Sequence, residues 1–219
     1  MSLRILSPTA FMALEPPTLV HLINPIIPLG GVVFVYGKSG VGKSPFSWGL
    51  ADAVATGGPF CGMKTLKAPV LYIDVDTRWW VIQHRWRMAN YRPTFHIAEG
   101  DAFDCLDGMW YFGNKVRELL REANEKLHPR MVVVSTLAKI HPFAYSDPSA
   151  PLQVYKRWQE LFDPECAIVF IHHDKKSSHM QGEIDEDTAY HLSKEAFSGA
   201  SQWMDHCTTE IHLTRAGND

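Results

Sequence analysis

The stretch that decides the fold is GVVFVYGKSGVGKS, residues 31–44. An apolar run, GVVFVY, leads directly into GKSGVGKS, which matches the pattern G-x-x-x-x-G-K-[ST] from Gly37 to Ser44 without a gap. Glycines in such a loop let successive backbone N–H groups face phosphate oxygens, and the helix that follows adds its positive N-terminal end. The pattern therefore predicts a strand, a phosphate-binding loop and a helix, in that order.

This loop predicts a site for ATP and Mg²⁺. The Lys43 side chain is expected to reach the β- and γ-phosphates, and the Ser44 hydroxyl to ligate Mg²⁺. Pro45 is compatible with a helix start, because a first-turn N–H has no partner inside the helix. The predicted ATP-binding residues are Gly37, Lys38, Ser39, Gly40, Val41, Gly42, Lys43 and Ser44.

Outside the loop, short apolar runs alternate with longer amphipathic stretches. The predicted strands are residues 31–36, 69–74, 94–98, 131–135, 167–173 and 209–214. The predicted helices are residues 43–56, 77–91, 113–127, 150–162 and 195–205. Several strands are continuously apolar and β-branched, which is typical of strands covered on both faces. The alternation predicts an α/β fold with a mostly parallel, twisted sheet flanked by helices.

Composition narrows the class of protein. The chain has 219 residues, 46% of them hydrophobic, and a formal net charge of −3, which indicates a globular protein without a global basic field. The four cysteines form no CxxC pair, which argues against a zinc site and fits a reducing, cytoplasmic location. No apolar run reaches the roughly 18 residues of a membrane helix, so no membrane partner is expected.

The chain is expected to divide near residue 30. Residues 1–29 are rich in proline and are expected to form an irregular N-terminal arm packed on the core. Residues 30–219 carry all the predicted strands and helices of the sheet. They are therefore expected to form a single domain.

Four segments in order resemble the RecA-type P-loop ATPases, and most closely the branch of small RepA-type replicative helicases of plasmids and phages. They are FVYGKSGVGKS (34–44), VLYIDVDTRWWVIQHRW (70–86), MVVVSTLAKIHPF (131–143) and AIVFIHHDKK (167–176). The resemblance implies a RecA-like core that hydrolyses ATP with Mg²⁺ and assembles with copies of itself into a ring or filament. It also implies action on single-stranded DNA in replication or recombination, as a helicase or a recombinase-like protein.

The resemblance also suggests roles for the acidic residues after the second predicted strand. Asp76 falls where the family has its catalytic glutamate, and Asp74 lies two residues earlier, on the same strand face. Ser135 stands where the family has a metal-supporting aspartate, so Ser44, Asp74 and Ser135 are the candidates for the metal site. Three interpretations of Ser135 stay open: Asp74 or Asp76 substitutes and turnover is slow, ATP is bound but barely hydrolysed, or Ser135 replaces a natural aspartate.

Two further residues are candidates for catalysis by the same resemblance. His173 ends the fifth predicted strand, where the family carries a polar sensor of the γ-phosphate. Arg215 follows the last strand, where RecA-type proteins carry a finger that enters the neighbouring subunit's ATP site. Lys175 is a weaker candidate for such a finger, and Ser198 stands where the family has an arginine.

The residues themselves give less support to DNA binding. The loop at 174–195 faces DNA in the family, but here it mixes lysines with acidic residues. The segment 78–87 is rich in Arg and Trp and could stack bases, although helical spacing also fits core or interface tryptophans. The alternative function is a non-hydrolysing nucleotide-binding regulatory or assembly module, which Ser135 favours.

Overall fold

A computed structural model describes residues 5–15, 18–98, 114–137, 150–173 and 207–215 of the chain. Its elements, in chain order, are α1 (Pro8–Met12), β1 (His21–Ile23), β2 (Ile27–Pro28), β3 (Val32–Gly37), α2 (Lys43–Thr56), β4 (Val70–Asp74), α3 (Trp79–Met88), β5 (His96–Ala98), α4 (Asn114–Leu127), β6 (Met131–Ser135), α5 (Ala150–Leu161), β7 (Ala167–His173) and β8 (Thr209–Leu213).

Six of these strands form one sheet in the order β5-β4-β6-β7-β3-β8. Every neighbouring pair in this sheet is parallel. The predicted α/β fold with a mostly parallel sheet is therefore confirmed. The order places β7 between β3, which leads into the phosphate-binding loop, and β6, which ends at Ser135.

The six predicted strands of the sheet are confirmed to within two residues of their predicted bounds. The helix predicted at 77–91 is shorter, because the turn at 75–78 precedes it and Asn90 takes a left-handed backbone conformation (φ 49°) just after its end. The helix predicted at 195–205 lies outside the described residues. None of the helices in the described ranges is long and apolar enough to cross a lipid bilayer.

Two apolar cores lie on opposite faces of the sheet. On one face, α4 and α5 pack through Leu120, Val154 and Trp158. On the other, α2 and α3 contribute residues such as Val54 and Ile82. Because β6 and β7 are covered on both sides, Met131–Ser135 and nearly all of Ala167–His173 are buried, as their continuously apolar sequences predict.

The N-terminal arm differs from the irregular, packed arm expected for residues 1–29. Packing on the core begins at His21, where β1 and β2 form a two-stranded antiparallel sheet. Leu22, Ile23 and Ile27 are fully buried in the α2-side core. In contrast, residues 5–15 and 18–20 are exposed, and the short helix α1 has no buried residue. The division of the chain near residue 30 stays a prediction.

Candidate functional site

The candidate site lies at the carboxyl edge of the sheet. Parallel pairing aligns Asp74 with Ser135, and aligns Gly37 with both His173 and Leu213. Paired residues of neighbouring parallel strands stand at one level and on one face of the sheet. The carboxyl ends of strands in open α/β sheets border the ligand crevice. Gly37, His173 and Leu213 therefore stand at one level, and Asp74 and Ser135 stand two residues earlier along the strands, level with Ile171. The register thus brings four predicted site residues, Gly37, Asp74, Ser135 and His173, to the carboxyl edge of the sheet.

The loop between β3 and α2 needs glycine for two separate reasons. A Cβ atom at Gly37 would collide with the carbonyl oxygen of Leu213, so no side chain fits where β3 meets β8. Gly42 has a positive φ of 98°, which side-chain-bearing residues rarely adopt. A Cβ atom at Gly42 would meet no atom within 4 Å, so the backbone there faces open space. The loop thus leaves room for a ligand to approach its backbone closely.

Lys43 places positive charge inside this loop. Its Nζ donates hydrogen bonds to the carbonyl oxygens of Gly37, at 2.6 Å, and Lys38, at 2.9 Å. The side chain is only 6% exposed, which is unusual for lysine and reflects these partners. Lys43 therefore spans the loop from the first residue of α2 back to the end of β3.

The start of α2 completes an anion-binding arrangement. Its N-cap is Gly42, whose backbone leaves the first-turn N–H groups without a side-chain acceptor. The helix dipole adds partial positive charge at the same end. Ser44 is partly buried in this first turn, and its carbonyl oxygen accepts a hydrogen bond from Ser47 Oγ at 2.9 Å. The loop and the helix start therefore fit the phosphate groups of a nucleotide.

The two candidate carboxylates after β4 have different surroundings. Asp74 Oδ1 accepts hydrogen bonds from the backbone N–H groups of Asp76, at 3.0 Å, and Thr77, at 2.8 Å. Burial raises the pKa of Asp74 from 3.8 to about 6, although these two hydrogen bonds oppose the shift. Asp76 is exposed in the turn. Asp74 is thus the carboxylate that the fold holds at the sheet edge beside Ser135.

A pair of buried hydroxyl groups lies between α2 and the neighbourhood of Ser135. Tyr72 OH shares a hydrogen bond of 2.8 Å with Ser47 Oγ, and the Ser135 side chain is close enough to Tyr72 to act on its pKa. Burial, with a smaller contribution from the nearby Asp74 charge, raises the pKa of Tyr72 well above its usual range. Sequence reasoning missed Tyr72 and Ser47. The signal was present in their spacing: Tyr72 precedes Asp74 by two residues on a strand, and Ser47 follows Ser44 by one helical turn.

His173 and Arg215 lie beside the loop of their own chain. His173 is half-buried at the end of β7 and is the register partner of Gly37. Arg215 lies two residues beyond β8, and its Nη2 stands 3.6 Å from the position of a Cβ atom at Gly40. The expected contact of Arg215 with a neighbouring subunit stays a prediction. Lys175, Ser198 and the loop at 174–195 lie outside the described residues.

The chemistry of the edge suits magnesium held together with a nucleotide. Within the described ranges, no group of three or more His, Cys, Asp or Glu side chains could hold a metal ion. Mg²⁺ in nucleotide sites usually keeps several waters and is bound by one or two carboxylates plus phosphates. Ser44 and Asp74 match that small donor set, with Ser135 next to Asp74 as a neutral hydrogen-bonding group.

Comparison with known proteins agrees with this geometry. A family model described as AAA domain matches residues 2–179. A KaiC-like protein of Pyrococcus horikoshii OT3 is 11% identical, with a TM-score of 0.52 over 90% of this chain and 81% of that one. The flagellar accessory protein FlaH of Methanocaldococcus jannaschii is 14% identical, with a TM-score of 0.50 over 88% and 76%. At these identities the two structures show a shared fold.

Proposed function

The chain belongs to the AAA domain family and is a RecA-like P-loop ATPase, and we propose that it binds ATP with Mg²⁺ at residues 37–44 and hydrolyses it slowly. The observation that carries this proposal is the position of Lys43. Its ammonium group is buried inside a glycine loop whose backbone at Gly42 faces open space. Positive charge held at that point attracts the negative charge of a phosphate group that enters the loop.

Each residue of the candidate site has a proposed role. Lys43 and the loop backbone bind the phosphates, while Ser44 and Asp74 hold Mg²⁺, which supplies positive charge on the phosphate oxygens. Asp76, exposed in the turn, orients the attacking water, and His173 contacts the γ-phosphate. Support for His173 comes from its register with Gly37, the first residue of the loop.

We expect slow ATP turnover because β6 ends in a neutral serine and the nearby carboxylate lies on β4 instead. Ser135 is neutral and only 4% exposed, so the end of β6 cannot hold a metal-bound water as strongly as a carboxylate would. Asp74 supplies a carboxylate from the neighbouring strand, but burial raises its pKa to about 6 and one of its oxygens already accepts two backbone hydrogen bonds. Its displaced position and partial engagement limit what it contributes to the metal.

A binding titration tests the nucleotide site. We expect wild-type protein to bind ATP in the presence of Mg²⁺ and the Lys43→Ala variant to lose most of that affinity. Lys64→Ala is the matched control, because Lys64 is an exposed lysine in the connection between α2 and β4. Unchanged ATP affinity in Lys43→Ala, with Lys64→Ala also unchanged, would show that the loop does not bind the nucleotide.

We further propose that the protein acts on single-stranded DNA in replication or recombination, as an oligomeric helicase or recombinase-like ATPase of the RepA type. The start of α3 supports this. Trp79 and Trp80 are 51% and 46% exposed, and the Arg78 guanidinium carbon lies 5.0 Å from the Trp80 ring centroid. Exposed aromatic rings among arginines stack on bases and attract phosphates.

The third tryptophan of this segment has another role. Trp86 is only 9% exposed and packs edge-on against Trp48, with ring centroids 5.5 Å apart. Trp86 is therefore a core residue, whereas Trp79 and Trp80 are exposed and available to a partner. Quenching of tryptophan fluorescence by an oligonucleotide would test the surface that Trp79 and Trp80 form.

A second candidate function is a nucleotide-binding module that does not hydrolyse ATP. The observation favouring it is the neutral Ser135 at the buried end of β6. Tight ATP binding with no turnover above the Lys43→Ala background would support this function, and turnover stimulated by single-stranded DNA would exclude it.

A further inference from the structure

The end of β8 is fixed against the start of the phosphate-binding loop. β8 pairs in parallel with β3 over its whole length, and Leu213 is the register partner of Gly37. The two backbones approach so closely there that a Cβ atom at Gly37 would collide with the Leu213 carbonyl oxygen. The chain leaving β8 therefore begins its path directly beside the loop.

Arg215 reaches the middle of that loop. Its Nη2 lies 3.6 Å from where a Cβ atom of Gly40 would stand, and the side chain is exposed. None of the ion pairs found in the described part of the chain involves Arg215. The guanidinium group thus adds a third positive charge beside the loop that holds Lys38 and Lys43, and it does so within one chain.

We propose that Arg215 binds the phosphates of the nucleotide held by its own chain. This inference rests on the proposed nucleotide site and assigns Arg215 to that site in cis, in place of the finger expected to enter a neighbouring subunit. The contribution of Arg215 to ATP affinity then needs no contact between protomers.

The chemistry of the side chain suits this role. A guanidinium group offers several N–H donors in a planar fork, and it binds phosphate oxygens in a bidentate manner. Lysine at this place would supply the charge without the fork. Arg215→Lys should therefore keep part of the affinity that Arg215→Ala loses.

A direct titration with ATP tests the contact. We expect Arg215→Ala to bind ATP about tenfold or more weakly than wild type, since a hydrogen bond to a charged group is lost. Arg121→Ala is the matched control, because Arg121 is an exposed arginine on α4, which covers the opposite face of the sheet from α2. Circular dichroism of each variant confirms the fold. Equal affinity in wild type and Arg215→Ala would overturn the proposal.

Mixing two variants tests whether Arg215 acts on the ATP bound by its own chain or on the ATP bound by a neighbouring chain. Lys43→Ala keeps Arg215 but has a damaged loop, whereas Arg215→Ala keeps the loop. If Arg215 acts in cis, adding excess Lys43→Ala protein leaves the ATP affinity of Arg215→Ala low, and dilution of wild type leaves its affinity unchanged. Recovery of affinity on mixing would overturn the cis assignment. Failure of wild type itself to bind ATP would instead overturn the nucleotide site, and with it this inference.

Discussion

Asp74 and Ser135 are register partners at the carboxyl ends of two adjacent parallel strands, β4 and β6. They lie on the same face of the sheet as Tyr72, whose hydroxyl hydrogen-bonds Ser47 of α2. An acidic group on one strand thus stands next to a neutral hydroxyl on the other. The sheet therefore keeps one carboxylate at this level, on β4, whereas the RecA-type resemblance puts the metal-supporting carboxylate at the end of β6.

This displacement gives a test for the metal-supporting carboxylate. Asp74→Asn removes the charge but keeps an oxygen that can accept the hydrogen bonds from Asp76 and Thr77. We expect ATP turnover to fall roughly 10- to 100-fold and the Mg²⁺ concentration needed for half-maximal turnover to rise. Steady-state kinetics over a Mg²⁺ series measures both effects.

A second variant controls that experiment by moving the carboxylate back to β6. We expect Asp74→Asn combined with Ser135→Asp to recover turnover relative to Asp74→Asn alone. Equal turnover in wild type and Asp74→Asn would mean that another group, such as Asp76, supports the metal. An inactive but folded double variant would argue that the two strand ends are not equivalent places for the charge.

The raised pKa of Asp74 makes a prediction about stability and pH. Because burial raises this pKa from 3.8 to about 6, the folded protein binds the proton more tightly than the unfolded chain between those values. The contribution of Asp74 to the free energy of unfolding is therefore largest below about pH 4 and is lost as pH rises to about 6. We expect Asp74→Asn to be more stable than wild type at pH 7, by up to about 3 kcal/mol, and to lose that advantage near pH 4.

Urea unfolding of both proteins at pH 4 and pH 7 measures this difference. Asp76→Asn is the control, because Asp76 is exposed in the same turn. A stability gain in Asp74→Asn that is the same at both pH values would show that burial of the charge is not its cause.

The hydroxyl of Tyr72 offers a test of how α2 is held to β4. Tyr72→Phe removes the hydroxyl that hydrogen-bonds Ser47 but keeps the buried ring. We expect the free energy of unfolding to fall by about 1 kcal/mol, as for one buried hydrogen bond, and turnover to fall with ATP affinity nearly unchanged. Thermal unfolding and turnover measure the two effects, with Ser47→Ala as the partner variant.

If Ser47→Ala lowers turnover as much as Tyr72→Phe, and the double variant adds nothing, the two hydroxyls act as one unit. Additive losses would instead assign them separate roles.

Substitutions of the α3 tryptophans are expected to affect either DNA binding or fold stability, depending on whether the side chain is exposed or buried. We expect Trp79→Ala and Trp80→Ala to leave the unfolding free energy nearly unchanged but to weaken binding of a single-stranded oligonucleotide, by about 1 to 3 kcal/mol for each stacked base lost. Trp86→Ala should instead destabilise the fold by about 3 to 5 kcal/mol, because Trp86 is buried in the core. Fluorescence anisotropy with a labelled oligonucleotide measures the binding.

Oligonucleotide binding that survives both exposed-tryptophan substitutions would remove α3 from the DNA-binding surface. A change of molecular mass in the same two variants, seen by light scattering, would instead assign Trp79 and Trp80 to an interface between copies of the chain.

Much of the fold could be predicted from local sequence. The run of residues 31–44 fixes a strand, a loop and a helix, because the glycine pattern and the flanking apolar residues agree with one another. Continuous apolar runs at β6 and β7 reveal strands covered on both faces. The hairpin of β1 and β2 was missed, since strands of two and three residues are too short to show a periodic pattern.

The parts of the site that were not predicted depend on long-range pairing. Arg215 lies beside Gly40 because β8 pairs with β3, and no local pattern states which strands are neighbours. Asp74 has a raised pKa because it is partly buried at the end of β4, whereas Asp76 is exposed. The sequence shows two nearby aspartates but not which of them is buried.

The measurement that tests the central claim most directly is steady-state ATP turnover with Mg²⁺, with and without single-stranded DNA, in wild type and Lys43→Ala. We expect slow wild-type turnover that exceeds the Lys43→Ala background and rises when DNA is added. Wild-type turnover equal to that of Lys43→Ala under both conditions would contradict the claim that this chain hydrolyses ATP.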